Sequence, residues 1–218
     1  MIKKFAIILI ALQLAACGKL PLVSTLLGET SPATQESQLF FDDFSETKSG
    51  WDRFAGEIGS MNYADKAYRI SVLEANTDLF ATPGKLFKDA VVKASAQRVS
   101  GPDNNSFGLI CRYKDEKNFY SAQISSDGYA GIFRIKDGVY KLLGHDTMIP
   151  VPAILGGSGL NNIYFECVGT TLVLAVNGTL VDTQEDKNFE NGDVGLIAGA
   201  FDSSGVVIAF DDFSVTKP

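Results

Sequence analysis

The chain has 218 residues and a formal net charge of −7, from 19 Lys and Arg against 26 Asp and Glu. That balance excludes the basic patches that a nucleic-acid binder sets against phosphate, and it excludes a polybasic membrane-binding surface. Abundant Gly and Phe, 21 and 15 residues, with only 7 Pro, suit a β-rich domain large enough to bury its own core.

The chain opens on Lys3 and Lys4, an apolar run from Phe5 to Leu12, and then Leu14-Ala15-Ala16-Cys17-Gly18. An apolar stretch this short, closed by small residues, reads as a signal peptide over residues 1–16, since a membrane-spanning helix needs about 20 apolar residues. The Leu-Ala-Ala-Cys sequence resembles the lipobox of bacterial lipoproteins. The resemblance implies cleavage before Cys17, acylation of that cysteine by fatty acids such as palmitate, and a lipid-anchored place in the cell envelope. Gly18 after the cysteine implies the outer membrane if the host has two membranes. Loss of residues 1–16 removes two lysines and no acid, so the net charge moves from −7 to −9. Residues 17–38 carry Ser24, Thr25, Thr30, Ser31, Pro32, Thr34 and Glu36 with no sustained periodicity, and read as a flexible tether.

From residue 39 to 218 one domain follows, with about a dozen short β-like runs divided by turn signals. Lys66 to Leu73 alternates apolar and polar residues, and Ala90 to Val99, Ser106 to Tyr113 and Phe119 to Ser125 come next. Asp127-Gly128, Asp137-Gly138 and Asn177-Gly178 each mark a tight hairpin, because these dipeptides accept the positive φ of primed turns. Asn161 to Val168, Leu172 to Val176, Thr179 to Asp182, Asp193 to Ala200 and Gly205 to Thr216 complete the series. No window carries a helical period, so the expected fold is all-β, with two antiparallel sheets packed face to face. Cys111 and Cys167 fall in two of these strands, either as a disulfide or as two buried thiols. They do not make a zinc site, and the lone histidine, His145, is not placed to complete one.

The pentapeptide Phe-Asp-Asp-Phe-Ser occurs at Phe41–Ser45 and again at Phe210–Ser214, with flanks that do not match. Duplication therefore explains it less well than a first and a last strand lying side by side. Phenylalanines three apart break the period of two, which predicts a bulge or bend in each copy, with Phe toward the core and Asp toward solvent or an ion. These pentapeptides resemble bacterial domains of the concanavalin A-like lectin/glucanase type, together with Ser49-Gly50-Trp51, Asn105–Tyr113, Asn118-Phe119-Tyr120, Ser126–Tyr129, Val176-Asn177-Gly178 and Gly192–Leu196. They are closest to the laminin-G-like and 3-keto-disaccharide-hydrolase-like branch. The resemblance covers residues 39–218 and implies a jelly-roll sandwich whose end strands are neighbours. It also implies that Asp42, Asp43, Asp211 and Asp212 could hold a structural calcium ion, carboxylates being what calcium takes.

Catalytic signatures are missing. The Glu-x-Asp-x-x-Glu strand of retaining β-glucanases does not occur, and Gly156–Gly159 lacks the spacing of a nucleophile elbow. Asp182 to Asp186 reads as a solvated turn, and Trp51 as packing against the sandwich end. If Cys111 and Cys167 face the core, alternation sends Arg112, Tyr164 and Glu166 outward, and hairpin pairing adds Tyr120. Arginine with tyrosines suits a polar ligand such as a glycan. The expectation is a non-catalytic, membrane-anchored module that binds carbohydrate or another envelope component, with no cofactor required. The alternatives are a glycoside hydrolase of the 3-keto-disaccharide type and a structural or protein-interaction module.

Overall fold

The computed structural model describes residues 37–218; the expected signal peptide, Cys17 and the tether as far as residue 36 lie outside the described residues. Among the described residues every regular element is a strand. In chain order they are β1 (Gln38–Asp42), β2 (Phe54–Gly56), β3 (Gly59–Ala64), β4 (Ala67–Val72), β5 (Thr77–Ala81), β6 (Ala90–Ser100), β7 (Asn105–Asp115) and β8 (Asn118–Ile124). Then come β9 (Tyr129–Lys136), β10 (Val139–Leu142), β11 (Ile149–Pro150), β12 (Asn161–Val168), β13 (Thr171–Val176), β14 (Thr179–Glu185), β15 (Asp193–Ala200) and β16 (Val206–Thr216). Strands β2, β3, β5 and β11 are additional to those the sequence suggested. They are short, or sit among turn-forming residues, so alternation does not reveal them.

A nine-stranded sheet runs β14-β13-β12-β6-β16-β4-β3-β2, with β1 added to β16; a seven-stranded sheet runs β10-β9-β8-β7-β15-β5, with β11 added to β9. The turn at Asn177-Gly178 has φ of +52° and +78°, the positive pair that a primed hairpin turn needs. Alternation in β4 turns Tyr68, Ile70 and Val72 inward, and in β12 it does the same for Ile163, Phe165 and Cys167. Cys111 on β7 and Cys167 on β12 form a disulfide with Cα atoms 6.7 Å apart. The bond therefore fastens one sheet to the other through the core.

The first and last strands are neighbours, with Phe41 opposite Ser214 and Asp42 opposite Phe213. Both pentapeptides bend through a residue in the left-handed region, Phe44 at φ +51° and Asp212 at φ +51°. Three of the four phenylalanines are buried, but Phe41 is 46% exposed, contrary to the expectation that all face the core. It lies three residues before the bend, on the outward side of β1. Asp42 does not face solvent either. It is buried, its Oδ1 accepts from the Phe44 N–H at 2.8 Å, and its Oδ2 accepts from Trp51 Nε1 at 2.9 Å. Trp51, Phe44, Tyr63, Tyr68 and Phe213 pack around that bond with ring centroids 4.8–6.0 Å apart.

The four aspartates lie close enough to feel one another. Burial pushes the Asp211 carboxyl above the usual range, and the charges of Asp212, Asp43 and Asp42 add to that rise. They do not converge on a point, and among the described residues no three acidic, His or Cys side chains are grouped to hold a metal. Both Asp42 oxygens are already engaged, and Asp43 caps the backbone and hydroxyl of Ser45. The set does not fit calcium, which takes roughly six to eight oxygens.

Asp42→Ala strands a buried indole N–H and a buried backbone N–H. Leaving each donor unpaired costs about 1–3 kcal/mol, so the substitution is expected to lower stability by about 2–4 kcal/mol in urea unfolding. A loss below about 1 kcal/mol would show that the junction stands without the carboxylate.

Candidate functional site

The seven-stranded sheet curls strongly. Its edge strands β5 and β10 are separated by four others, about 24 Å across a flat sheet at ~4.8 Å per strand. Yet Asp78 of β5 and Tyr140 of β10 line one pocket, close enough for the carboxylate charge to raise the phenol's pKa. The outer face of this sheet is thus concave, and its two rims meet.

One end of the hollow is filled by the chain itself. Ile110, Phe119, Ile135 and Ile197 are fully buried on this outer side, with Phe80, Tyr113 and Phe133 packed against them. Phe80 stands 5.4 Å from Phe119 and 5.8 Å from Tyr113 between ring centroids. The other end keeps a small pocket of about 270 Å³ lined by Asp78, Ser106, Gln123, Phe133, Tyr140, Asp146 and Phe201, among others. Gly199 provides the room. It pairs with Asp78 on one side and Ser106 on the other, and a Cβ there would stand 1.9 Å from Asp78 Oδ1 and 2.6 Å from Ser106 Oγ.

The pocket floor is polar. Ser106, Ser121 and Gln123 are buried, and Gln123 Nε2 donates to Ser121 Oγ at 2.8 Å. Burial raises the Asp78 pKa above the usual carboxylate value, and the Tyr140 hydroxyl opposes that rise only in part. Burial and the Asp78 charge raise the Tyr140 phenol in turn. Asp146 and Phe201 are exposed at the rim. The arrangement offers an acid, an amide and hydroxyls from below with aromatic edges around them, which is the chemistry of a small polar-ligand site.

The four residues expected to share one ligand face do not meet. Cys111 and Cys167 point inward as expected, and Tyr164 and Glu166 point outward from the nine-stranded sheet, where the Tyr164 hydroxyl donates to Glu166 Oε2. Arg112 sits on the other sheet at φ +53°, where Arg112, Tyr113 and Lys114 stand against Phe119 alone. That bulge breaks the alternation. It buries the guanidinium at the sandwich end, where Nη1 donates to the Phe189 carbonyl at 2.8 Å and Nη2 lies 3.4 Å from Asp89. The same shift pairs Tyr120 with Cys111 and so turns it into the core.

The acidic run is not a solvated turn. Asp182 is buried on β14, with His145 Nε2 at 3.5 Å from its Oδ2. Asp186 accepts from the Tyr120 hydroxyl at 2.5 Å and from Arg134 at 2.7 Å. Burial acts to raise the Asp186 pKa, but the hydrogen bonds from Tyr120, Asn188 and Arg134 outweigh it and hold the carboxyl below its usual value. Arg112, Tyr120 and Asp186 therefore brace the end of the sandwich and do not form an open site.

No protein-family model matches the sequence, and none of the curated proteins matches it. Solved structures match in fold. The carbohydrate-binding module CBM66 from Bacillus subtilis is 18% identical, with a TM-score of 0.60 over 77% of this chain and 96% of that one. A Bacillus subtilis protein with a galectin-like fold is 11% identical, with a TM-score of 0.60 over 84% and 97%. The β-glucanase of Bacillus licheniformis is 10% identical, with a TM-score of 0.55 over 84% and 99%. The architecture is a concanavalin A-like jelly-roll sandwich of two antiparallel sheets.

A raised carboxyl makes folding less favourable as it ionises. Below the unfolded-state pKa both states are protonated and nothing is lost; as pH rises through the folded-state pKa the penalty grows to its full value. Asp78→Asn keeps a partner for Tyr140 and removes the charge. It should therefore raise the melting midpoint at pH 7 and leave it near the parent value at pH 3. An equal or lower midpoint at pH 7 would show that Asp78 carries no burial penalty.

Proposed function

We propose that the domain is a carbohydrate-binding module that holds a single sugar residue, such as a chain end, in the concave pocket of the seven-stranded sheet. The observation that carries this reading is Asp78, a half-buried acid set in one pocket beside the Gln123 amide and the Ser106 hydroxyl, its carboxyl pushed up by burial. Proteins retain such groups where a ligand needs them. Carboxyl and amide groups together can accept from and donate to neighbouring sugar hydroxyls, while Tyr140, Phe133 and Phe201 present apolar faces to ring C–H groups. A volume of about 270 Å³ is at or below the small end of ligand pockets, which run from about 300 to 1,000 Å³. The aromatic plug at the far end of the hollow denies a path for an internal stretch of polysaccharide. Carbohydrate-binding and glycan-cleaving proteins among the structural neighbours support the same class of ligand.

A glycan array probed with the purified protein tests the reading. Binding to glycans that share one terminal sugar is expected, with Gln123→Ala weakening it by about 1–2 kcal/mol for the lost hydrogen bonds. Binding that ignores the terminal residue, or survives both Gln123→Ala and Asp78→Ala, would sink it. Hydrolysis is the second reading, because Asp146 also lines the pocket and glycoside cleavage uses two carboxyl groups. Release of sugar from the bound glycans, abolished by Asp78→Asn with binding retained, would favour the hydrolase.

The Leu14–Gly18 motif supports a lipid anchor at Cys17, which would hold the module on an envelope membrane. Cys17→Ala is expected to abolish incorporation of a labelled fatty acid and to leave an unacylated precursor. Labelling of the variant equal to that of the parent would remove the anchor.

A further inference from the structure

A straight row of side chains crosses five strands on the outer face of the nine-stranded sheet. It reads Phe41, Ser214, Lys93, Tyr164 and Ala175, each directly opposite the next in the strand pairing. These residues line a trench of about 660 Å³, and a more polar groove of about 530 Å³ continues from it past Ser95 and Asp212. Three strand spacings separate the two aromatic rings of the row, about 14 Å at ~4.8 Å each.

Both rings are set as platforms. Phe41 is 46% exposed, whereas Phe210, its counterpart in the second pentapeptide, is fully buried. Packing thus accounts for one and not for the other. The Tyr164 ring is fixed by its hydroxyl bond to Glu166 and by the Lys93 ammonium 5.6 Å from its centroid. Between the rings the row carries the Ser214 hydroxyl and the Lys93 side chain, with Ser95 beside them.

We propose that this trench is a second glycan-binding surface, which lays an uncharged oligosaccharide across the strands with sugar faces on Phe41 and Tyr164. The charges point to an uncharged ligand. Lys66, Arg69, Lys93 and Arg98 along the two grooves are matched by Asp65, Asp103, Asp211 and Asp212, with Arg69–Asp65 at 2.7 Å and Arg98–Asp103 at 2.6 Å. A neutral strip on a chain of net charge −7 attracts neither a cation nor an anion. An extended peptide is disfavoured, because strand addition needs an open edge and the row lies in the middle of the sheet. An acyl chain is disfavoured because Ser214 and Lys93 interrupt the apolar path. A glycan alternates C–H faces with hydroxyls, as the row alternates rings with polar groups.

Native-gel affinity electrophoresis of the full chain in mild detergent tests this, with laminarin, xylan and galactomannan as neutral probes and polygalacturonate as the acidic one. Retardation by at least one neutral probe is expected. Tyr164→Ala and Phe41→Ala should each weaken it on the order of tenfold, Tyr164→Phe should preserve it, and Glu116→Ala in the exposed turn between β7 and β8 should leave it unchanged. Near-ultraviolet circular dichroism shows whether each variant is folded. No retardation by any neutral probe, retardation by polygalacturonate alone, or unchanged retardation of the folded Phe41→Ala/Tyr164→Ala protein would each overturn the proposal. Retardation lost with Gln123→Ala alone would overturn the second surface while leaving the pocket in place.

Discussion

The carboxylate of Asp42 lies between the indole of Trp51 and the backbone of Phe44, and the sandwich is closed around it. Its partner strand is the central one of the larger sheet. β16 pairs with β6 along one edge, while its other edge passes from β4 to β1 at the Asp211–Asp212 bend. The repeated pentapeptide thus marks the two strands that meet at the closure. A charged group can serve there only because it is fully hydrogen-bonded, an unpaired buried carboxylate being far more costly than a neutral side chain.

The second constraint is curvature. The smaller sheet curls until its rims touch, and glycines at positions such as Gly199 leave the space that the curl would otherwise close. The larger sheet presents a straighter row of side chains to solvent. One sandwich therefore offers two different shapes, a dead-end hollow and an open trench. The disulfide through the core holds them in fixed relation.

Much of this was legible in the sequence. Alternation in residues 66–73 and 161–168 located core strands, the Asn177-Gly178 dipeptide located a primed turn, and the paired pentapeptides located the closure. The site was not. Arg112 was assigned a face by counting in twos, and a single left-handed residue within the bulge undid the count for Arg112 and, through the shifted pairing, for Tyr120. Asp78 lies on Thr77–Ala81, five residues too short to show a period, and an acid in such a run looks like a loop residue. The one available signal was Gly199, which leaves the outward side of β15 without a side chain beside Asp78 and Ser106. Burial of Asp182 and Asp186 depends on partners distant in sequence, His145 and Tyr120, and no local pattern announces those.

The pairing of Gln38 with Thr216 has a mechanical consequence. Chain enters the domain and leaves it at the same end of one antiparallel ladder. A pull on the two ends opens that ladder one rung at a time, as a zipper, and does not load its hydrogen bonds in shear. Such a module yields first at its own seam, down to the bend where Trp51 and Asp42 halt the tear. By the same geometry, ends this close can be spliced into a surface loop of a host protein with short connectors and little distortion of either partner.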